Sequence, residues 1–283
     1  MQSSYTDDMR IAESYIQGKF DDAARCEDGL TVTPHFAAVV DGSTSKRAAK
    51  YQADAAEGTS GGRRAMETVV AALQTLNAEA TMTETARHLT AALRDATPEA
   101  ARTQAELRLT CSAAVFSLAR REVWLFGDCQ CRFGGRTYTN PKAVDGVLTR
   151  ARCEAVRYLL AHGHTAEDIR RHDAGRAMIY DALREQTNFQ NDPDVRNPFR
   201  YTVLDGFDID TTTVPVLEVG AATRLILASD GYPTLCDALS ETEAELARLL
   251  REDPLCIGEN AATKCLMAGQ VSFDDRAYLA LEI

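Results

Sequence analysis

Four apolar, strand-like runs in this chain stop or start on an aspartate: "AAVVDG" at Asp41, "VWLFGD" at Asp128, "LILASDG" at Asp230 and "SFDDRAYLAL" at Asp274-Asp275. A fifth acidic spot, "CEDG" at Glu27-Asp28, precedes the first of them. A carboxylate at the buried end of a strand costs several kcal/mol unless it is paired or neutralised. Repeated use of that position therefore invites a shared cation. Hard divalent ions such as Mg²⁺ and Mn²⁺ take carboxylate, carbonyl and water oxygens. Glycine after Asp41 and Asp230 lets the backbone come close and leaves the Gly42 carbonyl available as a further oxygen. Asp-Gly is also an ordinary turn pair, so each position read alone is a turn. The order and context of the set carry the argument.

The elements that must present these residues follow from the patterning. "LTVT" and "HFAAVV", separated by Pro34, predict a hairpin. A helix is expected from Gly61-Gly62 onward, since Ala65, Val69, Ala72 and Leu73 share one face, and "TMTETARHLTAALRDA" predicts a second. "TCSAAVFSLA" and "EVWLFGDCQCRF" read as two strands joined at Arg120-Arg121. "RCEAVRYLLAHG" and "AEDIRRHDAGRAMIYDALREQ" read as helices on either side of Gly163, and "TNFQNDPDVRNPFRYTVLDGFDID" as irregular chain. "TTTVPVLEV", "TRLILASDG" and "RAYLALEI" read as strands, with a helix at "ETEAELARLLRED". Strands at the start, middle and end with paired helices between them suit an α+β, layered arrangement of antiparallel sheets in one domain, residues 1–283.

Composition narrows the function. The 283 residues carry a formal net charge of -11 with 45% hydrophobic residues. That balance argues against nucleic acid as a partner. No run of eighteen apolar residues suggests a membrane span, and the polar start "MQSSYTDDMR" is unlike a secretory signal. The eight scattered cysteines form no CxxC pair and read mostly as buried thiols of a cytoplasmic protein.

"FAAVVDGSTS", "TCSAAVFSL", "EVWLFGDCQCRF", "RLILASDGYPTL" and "SFDDRAYLAL" stand in the order found in metal-dependent serine/threonine phosphatases of the type 2C (PPM) family. From about Glu27 to Ile283 the chain resembles a compact bacterial-type member. "GTSGGRRAMETVVAAL" is similar to the family's Gly-led first helix. The resemblance implies a four-layer αββα sandwich, two antiparallel sheets flanked by helical hairpins. It also implies two or three Mg²⁺ or Mn²⁺ ions. Asp41 matches the aspartate that bridges two metals, and Gly42 the glycine that offers its carbonyl. Asp230 and Asp274 match further ligands, and Asp128 the aspartate of a third, looser position. Glu27 and Asp28 are the best match for the early acidic pair, with Asp21-Asp22 of "KFDD" as a competitor. Ser43-Thr44 departs from the His-Gly or Met-Gly-Gly that often follows Asp-Gly. The family's phosphate-binding arginine has no clean counterpart, Lys19 and Arg25 being the nearby cations.

Such a site hydrolyses a phosphomonoester through a metal-bridging hydroxide, with Asp41 and Asp230 central to catalysis and no protein nucleophile. The implied substrate is phosphoserine or phosphothreonine in a protein. A small phosphorylated molecule, or a silent phosphatase-fold protein that binds partners, are the other readings. His35 is a positional candidate for proton donor. Cys129 and Cys131 of "DCQC" share a strand face and read as packing, "HGHTAED" as a solvated turn. "GTSGG" lacks the lysine of a nucleotide loop, and Ser43 and Ser112 lack a nucleophile-elbow context.

Overall fold

Continuous runs of buried residues form the central strands, and amphipathic helices pack beside them. The structure, a computed structural model, describes residues 9–43 and 59–283. Thr44 and Gly58, which belong to two of the motifs above, lie outside the described residues, as does the extreme N-terminus. The strands are β1 (Arg10–Gln17), β2 (Asp28–Val32), β3 (Phe36–Gly42), β4 (Cys111–Ser117), β5 (Glu122–Phe126), β6 (Gln130–Phe133), β7 (Arg136–Tyr138), β8 (Val216–Glu218), β9 (Arg224–Ala228) and β10 (Arg276–Glu282). The helices are α1 (Gly61–Leu73), α2 (Met82–Ala96), α3 (Ala143–Ala161), α4 (Ala166–Arg171), α5 (Ala174–Met178), α6 (Tyr180–Glu185) and α7 (Leu239–Glu252).

The described residues form two five-stranded sheets, ordered β2-β3-β4-β5-β8 and β1-β10-β9-β6-β7. Neighbouring strands are antiparallel throughout. Period-two alternation decides which layer each side chain enters. Ala37 and Val39 of β3, with Ala114 and Phe116 of β4, meet Leu225, Leu227, Leu279 and Leu281 between the sheets. Phe36, Ala38 and Val40 point the other way, onto Val69 and Leu73 of α1 and Leu89 and Leu93 of α2. On the far side, Ile226, Ala228, Tyr278 and Ala280 take Leu246 and Leu249 of α7. The fold is α+β, with both sheets covered on their outer faces by helices.

Helix ends follow capping chemistry. The Ser60 side chain accepts from Arg63 N to start α1, and Thr81 and Glu84 form a reciprocal capping box at α2.

Two local expectations are corrected, and one strand is added. "EVWLFGDCQCRF" is two strands in different sheets, because Gly127 adopts φ +82 and turns the chain between β5 and β6. A Cβ at Gly127 would sit 2.2 Å from Ser112 Oγ, so this crossover needs glycine twice over. "AEDIRRHDAGRAMIYDALREQ" is three short helices rather than one, the Asp173 side chain capping α5 by accepting from Arg176 N. The sequence reading passed over β1, an edge strand whose side chains alternate between exposed and half-buried. Among the described residues no helix is long and apolar enough to cross a membrane.

Candidate metal centre

The same alternation that fills the core explains why carboxylates meet at one end of the sandwich. On β3, Asp41 follows Ala37 and Val39 and so faces the opposite sheet. Its register partners are Asp28 on β2 and Ser112 on β4. Asp28 continues the inward face of Leu30 and Val32, which pack against the inter-sheet core. Asp275 continues the inward face of Ala277, Leu279 and Leu281. Asp128 arrives from the Gly127 crossover and Asp230 from the turn after β9. Carboxylate oxygens of Asp41, Asp128 and Asp230 all lie within 4.8 Å of one another. They line a cleft of about 310 Å³ with Gly42, Ser112, Lys142, Arg176, Lys264 and Asp274.

The carboxylates differ in how they are satisfied. Ser112 Oγ donates to Asp128 Oδ1 at 2.6 Å, and Lys142 Nζ stands 2.6 Å from Asp128 Oδ2. Asp274 pairs with Lys19 Nζ at 2.9 Å and with Lys264 Nζ. Asp275 is buried and accepts from Lys19 N at 2.8 Å and Glu27 N at 3.0 Å, tying the β1–β2 connection to β10. Glu27 turns toward α1, accepting from Ser60 Oγ at 2.5 Å, with Lys19 Nζ 4.0 Å away. Asp28 is 4% exposed, and its Oδ2 is buried without a hydrogen-bond partner among the described residues. An orphaned buried carboxylate oxygen beside a second carboxylate is an unstable arrangement without a cation.

Electrostatics point to the same imbalance. Burial, and then the charges of Asp275 and Asp230, push the Asp28 carboxyl up to about 7, although contact with Ser229 opposes the rise. Asp41 is raised well above the usual carboxylate range by burial and by Asp28, Asp230 and Asp128. Asp230 stands at the exposed mouth. It is raised by the protein around it and then by Asp128, with solvent damping both. Burial would also raise Asp128, but Lys142 and Ser112 outweigh it and hold that carboxyl low. Lys264 is lowered to about 8 by burial and then by the neighbouring Lys19 charge. The floor formed by Asp28, Asp41 and Asp230 therefore wants positive charge that the protein does not supply. Hard oxygen donors clustered in this way fit Mg²⁺ or Mn²⁺.

Of the residues singled out in the sequence, Asp41, Asp128 and Asp230 converge, and Asp28 is the cross-strand neighbour of Asp41. Gly42 lines the cleft, and its N–H donates to Glu27 O at 3.1 Å. A Cβ there would lie 2.3 Å from Gly62 O, so α1 can approach β3 only at glycine. Asp274 lines the same cleft but is held by lysines. His35 lies at the opposite end of β3, roughly 20 Å away by strand rise. There it borders a larger cleft of about 970 Å³ whose Arg10 and Glu282 are an ion pair. Of the two nearby cations, Lys19 reaches the site, whereas the Arg25 guanidinium stacks on Phe20 at 3.8 Å. Cys129 and Cys131 are fully buried between the sheets.

Sequence reading missed Lys142, Arg176 and Lys264. Lys142 follows the "NP" that begins α3, and a lysine in that turn gave no sign that it would meet Asp128. Arg176 and Lys264 come from a helical insert and a loop with no local signature.

No family model matches the chain, and no curated protein matches it. Solved structures do. The catalytic domain of the serine/threonine protein phosphatase PstP, in complex with two manganese ions, shares 15% identity at a TM-score of 0.48, with 97% of each chain covered. Serine/threonine phosphatase Stp1 from Staphylococcus aureus shares 10% at 0.45, covering 97% of this chain and 95% of its own. RsbX in complex with magnesium shares 9% at 0.44, covering 97% and 98%.

Proposed function

We propose that this chain, as a single domain over residues 1–283, is a Mg²⁺- or Mn²⁺-dependent phosphatase acting on phosphoserine or phosphothreonine in a protein substrate. The observation that carries the reading is the meeting of Asp41, Asp128 and Asp230 beside the orphaned Asp28 oxygen. Charge supports it. Seven carboxylates (Glu27, Asp28, Asp41, Asp128, Asp230, Asp274 and Asp275) gather with three lysines, Lys19, Lys142 and Lys264. With Arg176 at the rim, three or four negative charges remain, which two divalent ions balance better than one.

Asp28, Asp41, Asp230 and the Gly42 carbonyl would hold the ions, Asp41 being placed to serve both because it adjoins Asp28 on one side and Asp128 and Asp230 on the other. Glu27 and Asp274 would complete the set after changing partners. When bound, the ions supply Lewis acidity and lower the pKa of bound water toward about 7. The chain's own contribution is to fix the oxygens. β3 and β2 hold Asp41 and Asp28 in register, and Ser112 and Lys142 aim Asp128. The thiols near Asp41 and the Ser112 hydroxyl do not offer a competing nucleophile. Cys111 and Cys129, beside Asp41, are buried thiols pushed far from ionisation by burial first and nearby carboxylates next. The Ser112 hydroxyl is spent on Asp128, and no histidine among the described residues lines the cleft. All eight cysteines are free, in keeping with a reducing, cytoplasmic setting.

Hydrolysis of p-nitrophenyl phosphate tests the reading. The expected result is turnover that requires Mn²⁺ or Mg²⁺ and falls about a thousandfold or more in Asp41→Asn and Asp230→Asn. Turnover unchanged by chelator, or equal in wild type and Asp41→Asn, refutes it.

A further inference from the structure

The 253–265 segment between α7 and β10 is irregular, yet buried arginine and aspartate side chains bind its backbone group by group. Arg152 of α3 is fully buried and pairs with Asp173 at 2.8 Å. It donates to Leu255 O at 3.0 Å, Cys256 O at 3.2 Å and Ala262 O at 3.0 Å. Arg176 of α5 donates to Thr263 O at 2.6 Å. Asp253 accepts from the N–H groups of Ile257, Gly258 and Asn260. A buried guanidinium spent on three carbonyls fixes their positions, since each leaves water only for that contact. The residue delivered by this grip is Lys264.

Lys264 stands at the cleft as a second ammonium on Asp274, whose other oxygen already meets Lys19 at 2.9 Å. Asp274 carries one negative charge and faces two positive ones. Arg176 lines the same cleft. Lys264 is 36% exposed at the side chain, more than Lys19 at 13% or Lys142 at 17%, so of the three lysines it is the most open to solvent. Lys142 is committed to Asp128, and Lys19 ties down Asp274 and Asp275. A partly exposed cation on a fixed backbone, next to a guanidinium and above an acidic floor, suits a small multivalent oxyanion that binds once the floor is neutralised.

We propose that Lys264 is the residue that binds the phosphoryl group of the substrate, positioned by the Arg152–Asp173 and Arg176 grip on residues 255–263. The inference deepens the phosphatase reading and rests on it for the identity of the anion. The ammonium exchanges its contact with Asp274 for a phosphoryl oxygen, which frees that Asp274 oxygen for the proposed cation site.

Inorganic phosphate is the probe, titrated calorimetrically into the full chain in excess Mn²⁺, with Mn²⁺ stoichiometry measured separately. Lys264→Ala is expected to weaken phosphate binding by about 10- to 100-fold, the range of a charged hydrogen bond. Lys264→Arg, which keeps the charge, is expected to recover most of it, with Mn²⁺ stoichiometry the same in all three proteins. Phosphate affinity in Lys264→Ala that matches wild type overturns the inference. So does a loss of Mn²⁺ in that variant, which would make Lys264 part of the cation site. The two readings fail separately. Lys264-dependent phosphate binding without hydrolysis of p-nitrophenyl phosphate sinks the phosphatase and leaves the anion site. Hydrolysis that ignores Lys264 does the reverse, and a wild type that binds no phosphate overturns the inference outright.

Discussion

Replacing Asp28 by asparagine is expected to stabilise the metal-free protein, although it alters a buried residue beside the proposed centre. Asp28 is 4% exposed, lacks a partner for Oδ2, and faces Asp41 across the β2–β3 ladder. Its carboxyl is pushed from an ordinary 3.8 to about 7, first by burial. A rise of that size corresponds to roughly 4 kcal/mol of penalty on the ionised form. Because the folded-state value lies above the unfolded one, the fold binds the extra proton between about pH 4 and pH 7. Stability therefore falls as pH rises through that window, and the full penalty stands above it. The substituted amide would carry no charge, and its N–H would donate to the Asp41 carboxylate. Some of the gain returns as the burial of an amide, so the expected net is about 2–4 kcal/mol, or roughly 5–10 °C in Tm at a pH of about 8. Asp41 and Asp230 share the same repulsion, so their effects are not added to this. The assay is thermal unfolding in EDTA at about pH 5 and about pH 8, on either side of most of the titration, repeated in Mn²⁺. Wild type should melt lower at the higher pH in EDTA, and Mn²⁺ should remove most of that difference. Asp28→Asn should gain at the higher pH, gain little at the lower, and respond less to Mn²⁺. A variant that melts below wild type in EDTA at the higher pH refutes the electrostatic reasoning.

Other consequences are open to similar tests. Gly127→Ala combines a left-handed φ with a methyl 2.2 Å from Ser112 Oγ. It should cost about 2–4 kcal/mol by denaturant titration, and Mn²⁺ binding should weaken as Asp128 shifts. Arg152→Leu removes the buried partner of Asp173 and of three carbonyls. It should lose about 3–5 kcal/mol of stability in urea, with faster hydrogen exchange centred on the loop between α7 and β10. Lys142→Met leaves Asp128 without its ammonium. The Asp128 carboxyl should then titrate higher by carboxyl-resolved NMR, and an unchanged titration would deny Lys142 its role.

Much of the scaffold was legible because the central strands are continuous apolar runs. "FAAVV" and "CSAAVF" bury every position, so their strand character is plain, and the hairpin around Pro34 follows. Strand parity also brings Asp41, Asp28 and Ser112 to one end of the sandwich, so carboxylates read from strand ends converge there. What was hidden has physical causes. Gly127 breaks an apolar run that looks continuous, since only its backbone angle, not its neighbours, announces the crossover. β1 alternates between exposed and half-buried positions and carries little apolar signal. The lysines are unreadable in principle from local pattern. Lys142 and Lys264 meet Asp128 and Asp274 through tertiary packing, the latter through a loop fixed by Arg152, which is 104 residues before the Cys256 carbonyl it holds. Asp274 is the instructive case, a residue that lines the same cleft as Asp41 while its carboxylate holds two ammonium groups.

The central claim is that the acidic floor exists to hold divalent cations, and anomalous scattering tests it most directly. Crystals grown in Mn²⁺ and measured at the manganese edge should show two peaks in contact with Asp41, one also touching Asp28 and the other Asp230. A map without manganese at Asp41, with the Asp28 oxygen still unpartnered, would contradict the account.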